Sequence, residues 1–171
     1  MKMKSNAVYK KLSRAYLLAR RRFKDATHKE HPLRGNDNIV GIIGEFVAVQ
    51  FLEKEFKRKS VKRNENPVEK GYDIVADGKK VSVKTITAEN ASGRTTPIKE
   101  PWDELVLVEL GENSRVLRIG YTTYKEFEHF RKSLNEGEDW RPVASRSMFN
   151  KGGLVFEKRK IFEGTEVKDY L

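Results

Sequence analysis

The sequence contains no cysteine, which excludes disulfides, thiolate metal sites and cysteine nucleophiles, and is compatible with a reducing compartment. Histidine is nearly as scarce, with three in 171 residues, and neither a Ser-His-Asp constellation nor a glycine-rich phosphate loop or dinucleotide fingerprint is present. No apolar run approaches the roughly 18 residues of a spanning helix. The opening stretch, M-K-M-K-S-N-A-V-Y, leads straight into an amphipathic pattern. A cytoplasmic protein with no membrane partner is expected. Repeats and low-complexity tracts are absent as well.

Hydrophobic residues make up 37% and charged residues 35% of the chain, a polar balance that still allows one domain over 1–171 with its own core. Acidic residues are scarce where basic ones are dense. Positions 1–34 hold eleven Lys or Arg against two acids, a net of +9, while the rest balances 24 against 23. Such a basic element is the electrostatic footprint of a polyanion, because Lys and Arg gain affinity by releasing counterions from phosphates. Arg14, Arg20, Arg21, Arg22, Lys24 and Arg34 are the candidate nucleic-acid contacts there. A solubilising helix face is the competing reading of the same charge.

Ser5 or Asn6 can cap a first helix to about Lys24, with Val8, Leu12, Ala15 or Tyr16, Ala19 and Phe23 along one stripe and a basic opposite face. The stretch 25–36 reads as a loop, in which His28 and His31, lacking further ligands, fit solvated or phosphate-contacting imidazoles better than a metal pair. A second helix, Ile39 to about Lys57, places Glu45 among Gly41, Ile42, Ala48 and Val49, so its carboxylate projects from the apolar stripe. Gly41, Gly44 and Ala48 flatten that surface for close approach to a sheet. Residues 54–70 form a connection with a short strand at 60–63. After Thr85 a polar loop carries Arg94, a further candidate phosphate contact. Leu105 to Leu110 reads as a central strand and Arg115 to Gly120 as the next, joined by a turn at 111–114. Thr122 or Thr123 caps a helix to about Ser133. A loop at 135–141, a helical turn at 145–150 and a strand-like stretch at 154–162 follow.

Between them lies G-Y-D-I-V-A-D-G-K-K-V-S-V-K-T, residues 71–85. Asp77-Gly78 between two alternating runs signals a two-residue type I′ hairpin. Counting outward pairs Ala76 with Lys79, Val75 with Lys80, Ile74 with Val81, Asp73 with Ser82 and Tyr72 with Val83. Period-two alternation then gathers Asp73, Ser82 and Lys84 on one face. One carboxylate, one hydroxyl and one ammonium converge at the open end.

The order of an inward Glu on a helix, Asp73 on one hairpin strand, Ser82-Val83-Lys84 on the next, then an apolar strand and a helix resembles the PD-(D/E)xK nuclease superfamily over roughly 37–133. G-I-I-G-E, ending in Glu45, matches its helical Gly-x-x-x-Glu; Asp73 matches its acid; Ser82-Val83-Lys84 matches its acid-x-Lys tripeptide. The resemblance implies an α/β fold with a restriction-endonuclease-like three-layer core, a central mixed sheet flanked by helices, here with a basic N-terminal helix over 1–34 and an extension over 134–171. It implies Glu45, Asp73, Ser82 and Lys84 as catalytic residues. Glu45, Asp73 and the Val83 carbonyl would be ligands of Mg²⁺, with Mn²⁺ as substitute, and Lys84 would orient water and stabilise phosphate charge. Tyr72 stands where the family name has Pro, and Ser82 where it has a second acid; Glu45, or more weakly Glu89, is the carboxylate to compensate.

Phosphodiester hydrolysis requires a cation against the developing charge and hydroxide near neutral pH, needs that hard oxygen ligands and a divalent ion meet. The expected function is a Mg²⁺-dependent DNA endonuclease of restriction, repair, resolvase or mobile-element type. The alternatives are a non-catalytic nucleic-acid-binding protein on the same scaffold and an RNA-directed nuclease. Cleavage of both strands would favour a homodimer.

Overall fold

Alternation of side chains along the middle strands sorts the apolar residues into two layers, one on each side of a sheet. The computed structural model describes residues 2–27, 38–64, 71–88, 90, 92–111, 115–133, 143–150, 153 and 160–171; side chains are described from residue 6 to 22 in the first helix and from 39 in the second. In chain order the elements are α1 (Lys2–Thr27), α2 (Asn38–Glu55), β1 (Val61–Arg63), β2 (Ile74–Ala76), β3 (Lys79–Thr87), β4 (Arg94–Pro97), β5 (Glu104–Leu110), β6 (Val116–Thr123), α3 (Tyr124–Ser133), β7 (Val143–Ser145), a 3-10 turn (Arg146–Phe149), β8 (Ile161–Glu163) and a second 3-10 turn (Gly164–Glu166). Six strands form one sheet in the order β1-β2-β3-β5-β6-β8, and β4 pairs with β7 in a second, two-stranded sheet. Among the described residues, β3 and β5 run parallel and the other pairs are antiparallel. The expected α/β class, a central mixed sheet flanked by helices, is the one adopted.

β5 is the middle of the core. All seven of its residues are buried, as its near-continuous apolar run requires of a strand covered on both faces. Val106, Val108 and Leu110 join Val81 and Val83 of β3 under the apolar stripe of α2, where Val47, Phe51 and Leu52 are fully buried. Burial of Phe51 or Leu52 contributes on the order of 1.5–3 kcal/mol each. Leu105 and Leu107 face the other way, against Ile86, Trp102, Phe149 and Phe127 of α3. α3 begins where the pattern placed it: Thr123 Oγ1 accepts the Glu126 N–H at 3.3 Å, and Glu126 Oε2 accepts the Thr123 N–H at 3.0 Å, a reciprocal cap.

The hairpin turn forms as read, with Asp77 at φ 47° and Gly78 at φ 81°, and the ladder pairs Ile74 with Val81, Val75 with Lys80 and Ala76 with Lys79. Close approach of α2 to the sheet rests on Gly44: a Cβ there would lie 1.8 Å from Thr85 Oγ1 on β3. Gly41, expected to share that task, has nothing within 4 Å of its Cβ position.

α1 departs most from expectation. Val8, Leu12, Ala15 and Ala19 are exposed, Val8 and Leu12 by more than half, while Tyr16 and Leu17 turn inward. The rotation is fixed by polar anchors on the packed side: Lys10 Nζ donates to the main-chain oxygen of Asp169, and Arg14 Nη2 to that of Leu171. Main-chain oxygens beside the buried Tyr170 and Leu171 need donors, and α1 supplies them. The polar stretch after Thr85, expected to be a loop, continues β3 to Thr87 and then forms β4 against β7.

Two acids on β5 are buried: Glu104 against Arg58 at 2.6 Å, and Glu109 between Arg118 at 2.5 Å and Arg146 at 2.8 Å. A buried carboxylate without such a partner would be costly. No described helix is long and apolar enough to cross a membrane. Of the expected loop at 25–36, residues 25–27 continue α1 instead, while 28–36, with His28, His31 and Arg34, the expected loop at 135–141 and Glu89 lie outside the described residues.

Candidate active site

β2 ends one residue short of Asp73, and the pairs Asp73–Ser82 and Tyr72–Val83 do not form. The Asp73 N–H donates instead to the Val81 carbonyl at 2.9 Å, and the Asp73 carbonyl accepts the Asn64 N–H at 2.8 Å. The Val83 N–H, which has lost a main-chain partner on β2, donates to Asp73 Oδ2 at 2.6 Å. The side chain thus completes the ladder that its own backbone leaves. A charge-assisted bond of this length fixes the carboxylate more firmly than a neutral one would. Ser82, only 1% exposed, adds its hydroxyl to the same carboxylate.

Lys84 follows on the same face of β3, two residues beyond Ser82. Its burial is partial and its attraction to Asp73 opposes the cost of burying the charge. Burial pulls the Lys84 ammonium below the ordinary lysine range, and nearby Lys99 pulls the same way, while Asp73 pushes it back up. Burial likewise raises the Asp73 carboxyl above its usual range; the Val83 N–H, Lys84, Ser82 and Arg63 hold it down. Lys99 belongs to a segment pressed close to the approach of β2, for a Cβ at Gly71 would sit 2.0 Å from the Lys99 carbonyl oxygen.

Glu45 enters from α2. Its side chain, 15% exposed, sits at the edge of the helix's buried stripe and not at its centre, and Arg63 at the end of β1 covers it. Arg63 donates from Nε to Oε2 at 2.7 Å, and its Nη2 lies 2.5 Å from the same oxygen. Burial raises the Glu45 carboxyl, Arg63 lowers it, and the charge of Asp73 across the site raises it. Asp73, Ser82, Lys84 and Glu45 are therefore brought together, with Arg63 on Glu45, Lys84 beside Asp73 and Lys99 near Lys84.

Oxygen donors of the Asp and Glu kind fit a hard divalent ion such as Mg²⁺, which is held by one or two carboxylates and keeps several waters. Among the described residues no group of three or more His, Cys, Asp or Glu gathers for a metal. The remaining positions of such an ion would fall to water and to main-chain oxygen. N–H and C=O of one strand residue point to the same side, so the Val83 carbonyl faces the same edge as the N–H that Asp73 takes.

The basic candidates are dispersed. Arg14 is engaged with Leu171, Arg20 and Arg21 have contacts of their own, Arg22 is exposed on α1, and Arg94 is exposed at the start of β4. Lys24's side chain and Arg34 lie outside the described residues. Two cations beside the site, Arg63 and Lys99, went unread in the sequence. Arg63 closes a short strand whose register, and so whose reach to Glu45, depends on pairing with β2.

No family model matches the chain, and no curated protein matches it. Among solved structures, the chain is similar to a restriction endonuclease in complex with substrate DNA, at 15% sequence identity and a TM-score of 0.49, over 94% of this chain and 86% of that one.

Proposed function

We propose that the protein is a Mg²⁺-dependent endonuclease that hydrolyses phosphodiester bonds in DNA. The observation that carries this reading is the fixed Asp73 carboxylate beside the part-buried Lys84 ammonium, with Asp73 close enough to perturb Glu45. Perturbed acids and a perturbed lysine gathered by separate elements are the mark of a working site more than of a surface ion pair. When bound between Glu45 and Asp73, the ion would supply Lewis-acid stabilisation and a more acidic water.

The chain's own groups do the rest. Asp73, held by the Val83 N–H, is a preorganised oxygen donor that costs no reordering on binding. Lys84 places a compact charge where a phosphate oxygen develops negative charge, and its lowered proton affinity suits it to orient a water. Ser82, occupying the position of a second acid, lends a hydroxyl to Asp73 and no charge. Basic α1, with Arg22 exposed on it, supplies sequence-independent attraction to phosphates.

Supercoiled plasmid incubated with the protein and Mg²⁺ should be nicked or linearised, and chelation with EDTA should stop it. Lys84→Ala and Asp73→Ala should lose cleavage by at least about 10²-fold, the scale of removing one preorganised group, while circular dichroism reports an intact fold. Cleavage retained by Asp73→Ala rules the assignment out. A second reading, a non-catalytic nucleic-acid-binding protein, is favoured by Ser82 and by the absence of a three-acid cluster among the described residues. It predicts salt-dependent DNA or RNA binding with no metal-dependent cutting.

A further inference from the structure

Arg63 meets Glu45 through one carboxylate oxygen. A guanidinium usually spans a carboxylate with two parallel bonds, one to each oxygen. Here Nε and Nη2 both converge on Oε2, at 2.7 Å and 2.5 Å, and Glu45 Oε1 has no hydrogen-bond partner among the described residues. The carboxylate is half engaged: one oxygen is neutralised, the other remains able to take a second cation. The Arg63 charge also acts on Asp73, holding its carboxyl down. One guanidinium is thus shared electrostatically by both acids of the site.

Arg63 is also the exposed partner, with its side chain 49% accessible against 15% for Glu45. It can leave towards solvent; Glu45, on a packed helix, stays. A dication entering between Glu45 and Asp73 meets a like charge within reach of both ligands, and that repulsion weakens metal binding. A phosphate arriving at the same place offers the guanidinium a bidentate partner and removes the repulsion.

Resting on the reading of the site as a metal-dependent nuclease, we propose that Arg63 is a positioning residue that couples metal to substrate. It holds Glu45 by Oε2 and stands in for the dication's charge in the free protein. It then passes to a backbone phosphate when nucleic acid binds, so that DNA and metal each tighten the other's binding. By linkage the enhancement is the same in both directions.

The test is Mn²⁺ binding, followed by electron paramagnetic resonance, to the wild type, Arg63→Gln, Arg63→Lys and Asp73→Asn. Arg63→Gln keeps a donor for Oε2 without charge, and should bind Mn²⁺ about tenfold more tightly than the wild type, the order expected from removing one nearby unit charge. Arg63→Lys keeps the charge and should stay within about twofold of the wild type on the same ground. Metal-free binding to a short DNA duplex at fixed salt should weaken in Arg63→Gln and be largely retained in Arg63→Lys. Thermal melts of each variant confirm folding, and Arg63→Met replaces any variant that fails. If Arg63→Gln binds Mn²⁺ no more tightly than the wild type, or Arg63→Lys tightens as much, the coupling is overturned. When Asp73→Asn still abolishes Mn²⁺ binding in that case, the nuclease reading survives. Absence of Mn²⁺ binding in the wild type and every Arg63 variant overturns both.

Discussion

The Val83 N–H donates to Asp73 Oδ2 at 2.6 Å, so a carboxylate occupies the acceptor position that a main-chain carbonyl would hold in an unbroken hairpin. Fold and candidate site share this atom. The cost appears in the acid's proton affinity, which burial raises and the Val83 N–H, Lys84, Ser82 and Arg63 only partly restore.

Asp73 and Lys84 should therefore titrate as a pair. Lys84→Met removes one of the influences that hold Asp73 down, and should push its carboxyl further up; Asp73→Asn removes the group that holds Lys84 up, and should lower its ammonium further. Carbon-13 NMR of the Asp carboxyl and Lys ε-carbon reads both, and unchanged titrations would refute the coupling. Linkage follows with a definite sign. A carboxyl raised in the folded state favours folding less as pH climbs from its unfolded value through its folded one. Relative to the wild type, Asp73→Asn should gain stability over that interval and hold the gain at neutral pH, as measured by melting temperature at pH 4 and 7.

Gly44 is fixed by steric approach and not by backbone angle. Gly44→Ala, with its Cβ 1.8 Å from Thr85 Oγ1, should cost about 1–3 kcal/mol in urea unfolding, the range of overpacked sites. Thr85→Ala in the same chain should recover part of it. Independent, additive effects of the two changes would contradict the contact.

On α1 two neighbouring aliphatic positions should behave in opposite ways. Leu12, 59% exposed, should tolerate Gln within about 0.5 kcal/mol, whereas Leu17, 9% exposed, should lose about 2–3 kcal/mol as Ala. Equal losses at both positions by chemical denaturation would show the helix rotated from the orientation described.

Local grammar accounts for what the sequence revealed. The Asp77-Gly78 turn, the Thr123 cap and the near-continuous apolar run of β5 each depend on neighbours within a few residues, and each is found where the sequence places it. The rotation of α1 depends on Asp169 and Leu171, about 160 residues away, and no periodicity within the helix encodes them. β4 was illegible for a related reason: R-T-T-P has little apolar content, ends in a proline with no N–H to donate, and gains strand form only from β7. At the site, the residue types are visible in the sequence, but the hairpin ladder stops two pairs short of the expected register, at Ile74–Val81. Extrapolating the hairpin cannot show that Asp73 turns its side chain into the ladder, nor that Arg63 reaches Glu45.

Glu109 is the most heavily paired acid described in the sheet, receiving Arg118 and Arg146 on separate oxygens. Glu109→Gln leaves two guanidiniums short of a charge. Because they are 24% and 36% exposed, water offsets part of the loss, and a cost of about 2–3 kcal/mol is expected, below the full penalty of a broken buried pair. Equilibrium unfolding in guanidinium chloride measures it; a change under 0.5 kcal/mol would mean that solvent already screens the cluster.

The same carboxylate also bears on the order of events in time. Arg146 reaches Glu109 across 37 residues and the Thr87 carbonyl across 59, so the cluster closes only after β3, β5 and the 3-10 turn have met. Contacts that complete last are absent from the folding transition state, and losing them quickens unfolding while leaving refolding nearly unchanged. Where the Arg146 contacts close after the transition state, Glu109→Gln should quicken unfolding and leave refolding nearly unchanged, a split that stopped-flow kinetics reads.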